Sequence, residues 1–266
     1  MNKVDINGIT VRYEIEGEGP WVMLSHSLTC DLTMWDELAA VLAPTFTVLR
    51  YDTRGHGGTS LPNSAPQGAY SFADLTADVI GLLDALDIES THFVGLSMGG
   101  MIGQHLALAA PQRVDKLVIA SSTSRIPAAA GPLWDERIAT VRAEGCAALV
   151  DSTLGRWFTP GFRAAQPEAM QRIGGLIRNT PAAGYIGCAG AIRTLDITAQ
   201  IGAISAPTLV IAGAEDPGTP PAMSEVIAAT IPAAQLEIIP SASHLSCIEQ
   251  PETFHRLVAG FLNTDF

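Results

Sequence analysis

The stretch "THFVGLSMGGMIGQHLALAAP", residues 91–111, constrains the fold more than any other part of the chain. An apolar run ends at Gly95, Ser97 stands among Gly95, Gly99 and Gly100, and helical spacing then runs from Met98 to Ala110 before Pro111. A buried strand that passes into a helix over so few residues must turn sharply. Such a turn forces its middle residue into a strained backbone conformation, and small residues two before and two after it avoid a clash. The pattern therefore predicts a strand–turn–helix unit with the Ser97 hydroxyl lifted above a sheet. Backbone N–H groups at the helix start would face the same point.

The surrounding chain supplies the sheet. Val4 and Ile6 alternate with polar residues, Asn7-Gly8 signals a tight turn, and Ile9, Val11, Tyr13 and Ile15 alternate again, which predicts a hairpin. Trp21–Ser25, Phe46–Asp52, Phe93–Val94 and Leu117–Ala120 read as short buried strands. Between them "MWDELAAVLAP" and "SFADLTADVIGLLDALDI" read as helices, the second capped by Ser71 with Asp74 three residues on. Strands alternating with helices imply a mostly parallel sheet covered on both faces, with the hairpin as an antiparallel edge.

From about Ser122 to Gln200 the rhythm changes to helical stretches punctuated by prolines, and it returns with "APTLVIAGAED", "PAMSEVIAATI", "AQLEIIP" and "PETFHRLVAGFL". We read residues 1–121 and 201–266 as one α/β core and 122–200 as an inserted helical cap. With 266 residues and 47% hydrophobic residues the chain can bury a core of that size.

The formal charge of −12 argues against nucleic acid and against anionic membrane surfaces, which need clustered Lys and Arg. The N-terminus lacks the basic-then-apolar pattern of a signal peptide, and the apolar runs are broken before they reach membrane-spanning length. A cytoplasmic location is the expectation. Cys30, Cys146, Cys188 and Cys247 show no metal-binding spacing and are expected to be reduced. An anionic small molecule would need a local cation, since the overall field repels it.

A serine hydroxyl is a weak nucleophile near neutral pH and needs a base, which in turn needs an orienting acid. After a Gly-x-Ser-x-Gly turn the expected chain order is serine, acid, histidine. Of the six histidines, His26, His56 and His92 precede Ser97, and His105 and His255 fall within helices. His244, in the loop "SASHLSCIEQPE", is left as the base. Asp216, directly after the strand "TLVIAG", is the preferred acid, with Glu215 as the fallback. The N–H groups of Met98 and of Leu28, in the loop "HSLTC", are the expected oxyanion donors.

These residues resemble the α/β-hydrolase family over the whole chain: "HS" after the third strand, "YDTRGHGGTS", "GLSMGG", "AGAEDPGTPP" and "ASH". Within it the chain is most similar to the 3-oxoadipate enol-lactonases, through "SLTCDLTMWD", "SMGGMIGQHLAL", "PQRVDKLV", "RWFTP" in the cap and "IEQPE" after the histidine. The resemblance implies hydrolysis of an enol-lactone that carries a free carboxylate, through an acyl-enzyme on Ser97, in bacterial breakdown of aromatic compounds by the β-ketoadipate route. It implies neither a metal nor an organic cofactor, and a structural part for His56.

Arg125, Arg137, Arg156 and Arg163 are candidates for the substrate carboxylate. Trp134, Trp157 and Phe158 are candidate apolar contacts, and Trp134, Arg137 and Trp157 are the selected set. Three rivals share these motifs: a general carboxylesterase or carbon–carbon bond hydrolase, an acyltransferase, and a ligand sensor with little turnover.

Overall fold

A computed structural model describes residues 2–62 and 70–264. Eight strands form one sheet: β1 (Asn2–Ile6), β2 (Ile9–Glu16), β3 (Trp21–Ser25), β4 (Thr47–Tyr51), β5 (Thr91–Leu96), β6 (Val114–Ala120), β7 (Thr208–Gly213) and β8 (Gln235–Ile239). Their spatial order is β1-β2-β4-β3-β5-β6-β7-β8. The first hairpin and the β2–β4 pairing are antiparallel, and every later pairing is parallel. The hairpin closes on Asn7 and Gly8 with φ of 48° and 74°. Positive φ at both positions matches the right-handed twist of the two strands.

The helices α1 (Asp36–Leu42), α2 (Phe72–Ala85) and α3 (Met98–Ala109) follow the sequence pattern closely. Ser71 and Asp74 cap α2 reciprocally, each side chain accepting from the other's backbone N–H. The stretch that reads as one helix from Met34 begins instead as a 3-10 turn, Leu32–Trp35, which Asp31 caps. β5 and β6 start earlier than the apolar runs suggest: Thr91 pairs with Val114 and His92 with Val22, while Asp115 and Lys116 fall where the β5–β6 register shifts.

Between β6 and β7 lie α4 (Gly131–Glu144), α5 (Val150–Trp157), α6 (Pro160–Ala165), α7 (Pro167–Asn179) and α8 (Ala182–Arg193). Then come α9 (Pro221–Thr230), α10 (Ser246–Glu249) and α11 (Pro251–Leu262). No helix among the described residues is long and apolar enough to cross a membrane.

The alternation of side chains along the strands splits the interior into two cores. Met23, Phe93, Leu117, Ile119 and Val210 face one side of the sheet, under α2, α3 and α9. Val22, Val94, Val118, Leu209 and Ile211 face the other, under α1 and α11. Each such side chain, fully buried, contributes on the order of 2 kcal/mol. The inserted helices add to both cores: Val141 and Tyr185 join the first, Trp157 and Ile173 the second. The helices between β6 and β7 thus pack into both cores.

Candidate active site

The carboxyl ends of the parallel strands are where open α/β sheets place their ligands. Here β3, β5, β7 and β8 lead into the segments carrying Leu28, Ser97, Asp216 and His244.

Ser97 follows β5 with φ 57° and ψ −114°, a region that few non-glycine residues occupy. Local sterics explain its glycines. A Cβ on Gly95 would stand 2.2 Å from the carbonyl oxygen of Gly99, and one on Gly99 would stand 2.1 Å from that of Ser25. The turn is anchored by the Ser97 N–H to Ala120 O at 2.8 Å and by the Ser122 hydroxyl to Ser97 O at 2.8 Å. No hydrogen bond engages the Ser97 hydroxyl among the described residues.

Asp216 is buried and fully solvated by protein. Its Oδ1 accepts the N–H groups of Gly218 and Thr219 at 2.8 and 3.1 Å. Its Oδ2 accepts the Thr219 hydroxyl at 2.6 Å and His244 Nδ1 at 2.7 Å. Burial raises its pKa, but the charge and hydrogen bond of His244 and the donors of Thr219 outweigh that and hold the carboxyl at about 2. Glu215, the alternative acid, is exposed. Because Nδ1 donates to an ionised Asp216, the neutral His244 ring has its acceptor at Nε2. The Trp157 ring stacks on the His244 ring, centroids 5.8 Å apart and planes tilted by 22°.

Ser97, Asp216 and His244 line one cavity of about 380 Å³. Leu28, Trp134, Arg137 and Trp157 line it as well. Met98 does not; its side chain is fully buried. Its N–H is the first of α3, where no intrahelical acceptor exists. The Leu28 N–H likewise donates to no described residue.

The support beneath Leu28 was not legible in the sequence. Thr53 N–H donates to His26 Nε2 at 2.9 Å, so His26 carries its proton on Nδ1 and donates to Ser27 O at 2.7 Å. Cys30 N–H donates to the same oxygen at 3.1 Å. These two bonds fix the peptide plane whose other end is the Leu28 N–H. Burial lowers the pKa of both His26 and His56, the latter to about 3 with His26 adding to the effect, so both rings stay neutral.

Of the four candidate arginines, Arg137 and Arg156 line the cavity, whereas Arg125 and Arg163 are exposed elsewhere. Arg137 lies over the Trp134 ring at 5.1 Å, and Arg156 donates to the Thr153 hydroxyl at 3.2 Å. Neither forms an ion pair among the described residues. Burial lowers the pKa of both, and the charge of Arg137 helps push Arg156 down to about 10. Both guanidiniums are thus half-buried in the cavity wall without a carboxylate partner among the described residues. Phe158 is buried in the core rather than in the cavity wall.

Residues 20–251 match the alpha/beta hydrolase fold family. The chain is 37% identical to 3-oxoadipate enol-lactonase 2 of Acinetobacter baylyi, over 91% of this chain and 88% of that one. It is 32% identical to the putative carbamate hydrolase RutD of Variovorax paradoxus, over 95% and 96%. The crystal structure of the enol-lactonase from Burkholderia xenovorans LB400 superposes with a TM-score of 0.94 at 37% identity, covering 99% of this chain and all of that one.

Proposed function

The chain belongs to the alpha/beta hydrolase fold family, and from that premise we propose that it is a serine hydrolase that opens the ring of 3-oxoadipate enol-lactone. The observation that carries this reading is the single cavity in which Ser97 and the His244–Asp216 pair face the unpaired Arg137 and Arg156. A lactone with a free carboxylate has one group for each side. The similarity to enol-lactonases in sequence and structure supports the same substrate. In this reading residues 122–200 act as the cap over a core of 1–121 and 201–266.

The proposed reaction starts when His244 Nε2 takes the proton of Ser97 as Oγ bonds to the lactone carbonyl carbon. The N–H groups of Leu28 and Met98 hold the oxyanion; one such donor is worth about 3–4 kcal/mol of barrier. The ring C–O bond then breaks, and the leaving enolate takes the proton from His244 and ketonises. An enolate leaves far more readily than an alkoxide. Water, deprotonated by His244, cleaves the acyl-enzyme, and Ser97 recovers its proton. Asp216 holds the Nδ1–H tautomer and stabilises the transient imidazolium.

The testing experiment compares enol-lactone hydrolysis with that of a neutral p-nitrophenyl ester of similar size. We expect a much higher kcat/KM on the lactone; equal or better hydrolysis of the neutral ester overturns the substrate assignment. The similarity to RutD favours a second reading, hydrolysis of a small carbamate, and a carbamate arm in the same assay decides between them.

A further inference from the structure

The motifs "RWFTP" and "IEQPE" lie about 90 residues apart in sequence, and they meet in the fold. Glu249 is 5% exposed. Its Oε2 accepts the Ser243 N–H at 2.8 Å. Its Oε1 accepts the Thr159 N–H at 3.0 Å and also the Thr159 hydroxyl. Ser243 Oγ donates to Arg156 O at 2.8 Å, and Leu245 N–H donates to Trp157 O at 3.3 Å. With the Trp157–His244 stack, every residue from 243 to 245 is joined to the segment 156–159. No arginine or lysine pairs with Glu249 among the described residues. Its carboxylate serves as a two-armed acceptor with one arm on each segment.

We infer that Glu249 is a positioning residue that clasps the substrate-facing segment Arg156–Thr159 to the His244 loop, so that recognition of the anion and placement of the base are set together. The physical reason lies in what each segment lacks. His244 sits between β8 and α10, where no ladder or helix fixes the backbone. Arg156 and Trp157 end α5, and Phe158 leaves it in an extended conformation. The buried carboxylate, accepting donors from both, ties the two segments to each other. Glutamine cannot substitute, because its amide NH₂ would face a backbone N–H on one side.

The inference rests on the function proposed above, yet its test uses no lactone. Two readouts are followed in Glu249→Gln at a temperature where melting curves show each protein fully folded. The rate at which a neutral fluorophosphonate modifies Ser97 reports His244, and the Kd for adipate, from tryptophan fluorescence, reports Arg156 and Trp157. We expect the rate to fall at least tenfold and the Kd to rise at least fivefold. Thr159→Val, which removes the hydroxyl arm together with the cap that Thr159 Oγ1 offers the Phe162 N–H of α6, shifts both in the same direction by about threefold and stands in if Glu249→Gln fails to fold. If either readout stays at its wild-type value in a folded variant, the clasp is refuted. A wild type that reacts with the phosphonate and binds adipate yet does not open the lactone overturns the substrate assignment alone.

Discussion

The cavity has two walls built in different ways. The wall from the sheet is made by backbone: the strained Ser97 turn, two N–H groups without acceptors, and a carboxylate held by four donors. The wall from the insertion is made by long side chains on α4 and α5. Val141 is the only fully buried residue of α4, and Leu133 beside the cavity is 47% exposed. Backbone geometry leaves little room for adjustment and suits a reaction coordinate. Side chains on partly exposed helices exchange at small cost to the fold and suit a choice of substrate. Variants on the first wall should therefore act on kcat, and variants on the second on KM.

The largest effect expected is on the sheet wall. Ser97→Ala should lower kcat by about 10⁶, to the rate left by binding and the oxyanion donors. Asp216→Asn should cost about 10⁴ in kcat, because an amide allows the wrong His244 tautomer. Steady-state kinetics on the lactone check both. A Ser97→Ala protein that still turns over would break the comparison at its root, since the turn would then be architecture only.

Legibility follows the same division. Ser97, Asp216 and His244 could be brought together on paper because each follows a strand with a recognisable apolar run, and parallel strands deliver their carboxyl ends to one edge. The need for Gly95 is written locally, since its Cβ would meet Gly99 four residues on, whereas the need for Gly99 comes from Ser25 at the end of β3. Of the arginines, Arg137 is selected from the sequence alone, and Arg156, which lines the same cavity, stays among the unselected candidates. Whether Arg137 and Arg156 or Arg125 and Arg163 face the cavity depends on how five short helices pack, and none of them has a local signal for it. His26 was legible only as a discarded base; its bonds to Thr53 and Ser27 join residues whose neighbourhood the sheet creates.

A smaller effect sharpens the comparison through pH. Asp216 is held at about 2, below the ordinary aspartate value near 3.9. A folded pKa below the unfolded one gives stability that is present above pH about 4 and lost as pH falls toward 2. The shift corresponds to about 2–3 kcal/mol in all, of which about 1 kcal/mol should disappear between pH 6 and pH 3. Urea unfolding of wild type and Asp216→Asn at the two pH values measures it. The stability gap between them should narrow at the lower pH, and a constant gap would mean that the carboxylate is not held as its four donors require.

The smallest effect is on the insertion wall, and it carries a sign that the sheet wall cannot produce. Arg156→Met should raise the KM for the anionic lactone about tenfold, the lower end for a charge-assisted hydrogen bond at a half-exposed site. The KM for a neutral ester and the kcat for both should stay within about twofold, because no backbone in the sheet wall moves. The same substitution removes a cation whose pKa is already depressed to about 10 by burial and by Arg137. Its loss relieves that repulsion, so the melting temperature should rise slightly rather than fall. A KM that rises for the anion alone, together with a more stable protein, identifies a group kept for binding at the expense of stability. If the neutral ester suffers equally, Arg156 serves the wall and not the anion, and the two walls are less distinct than their construction implies.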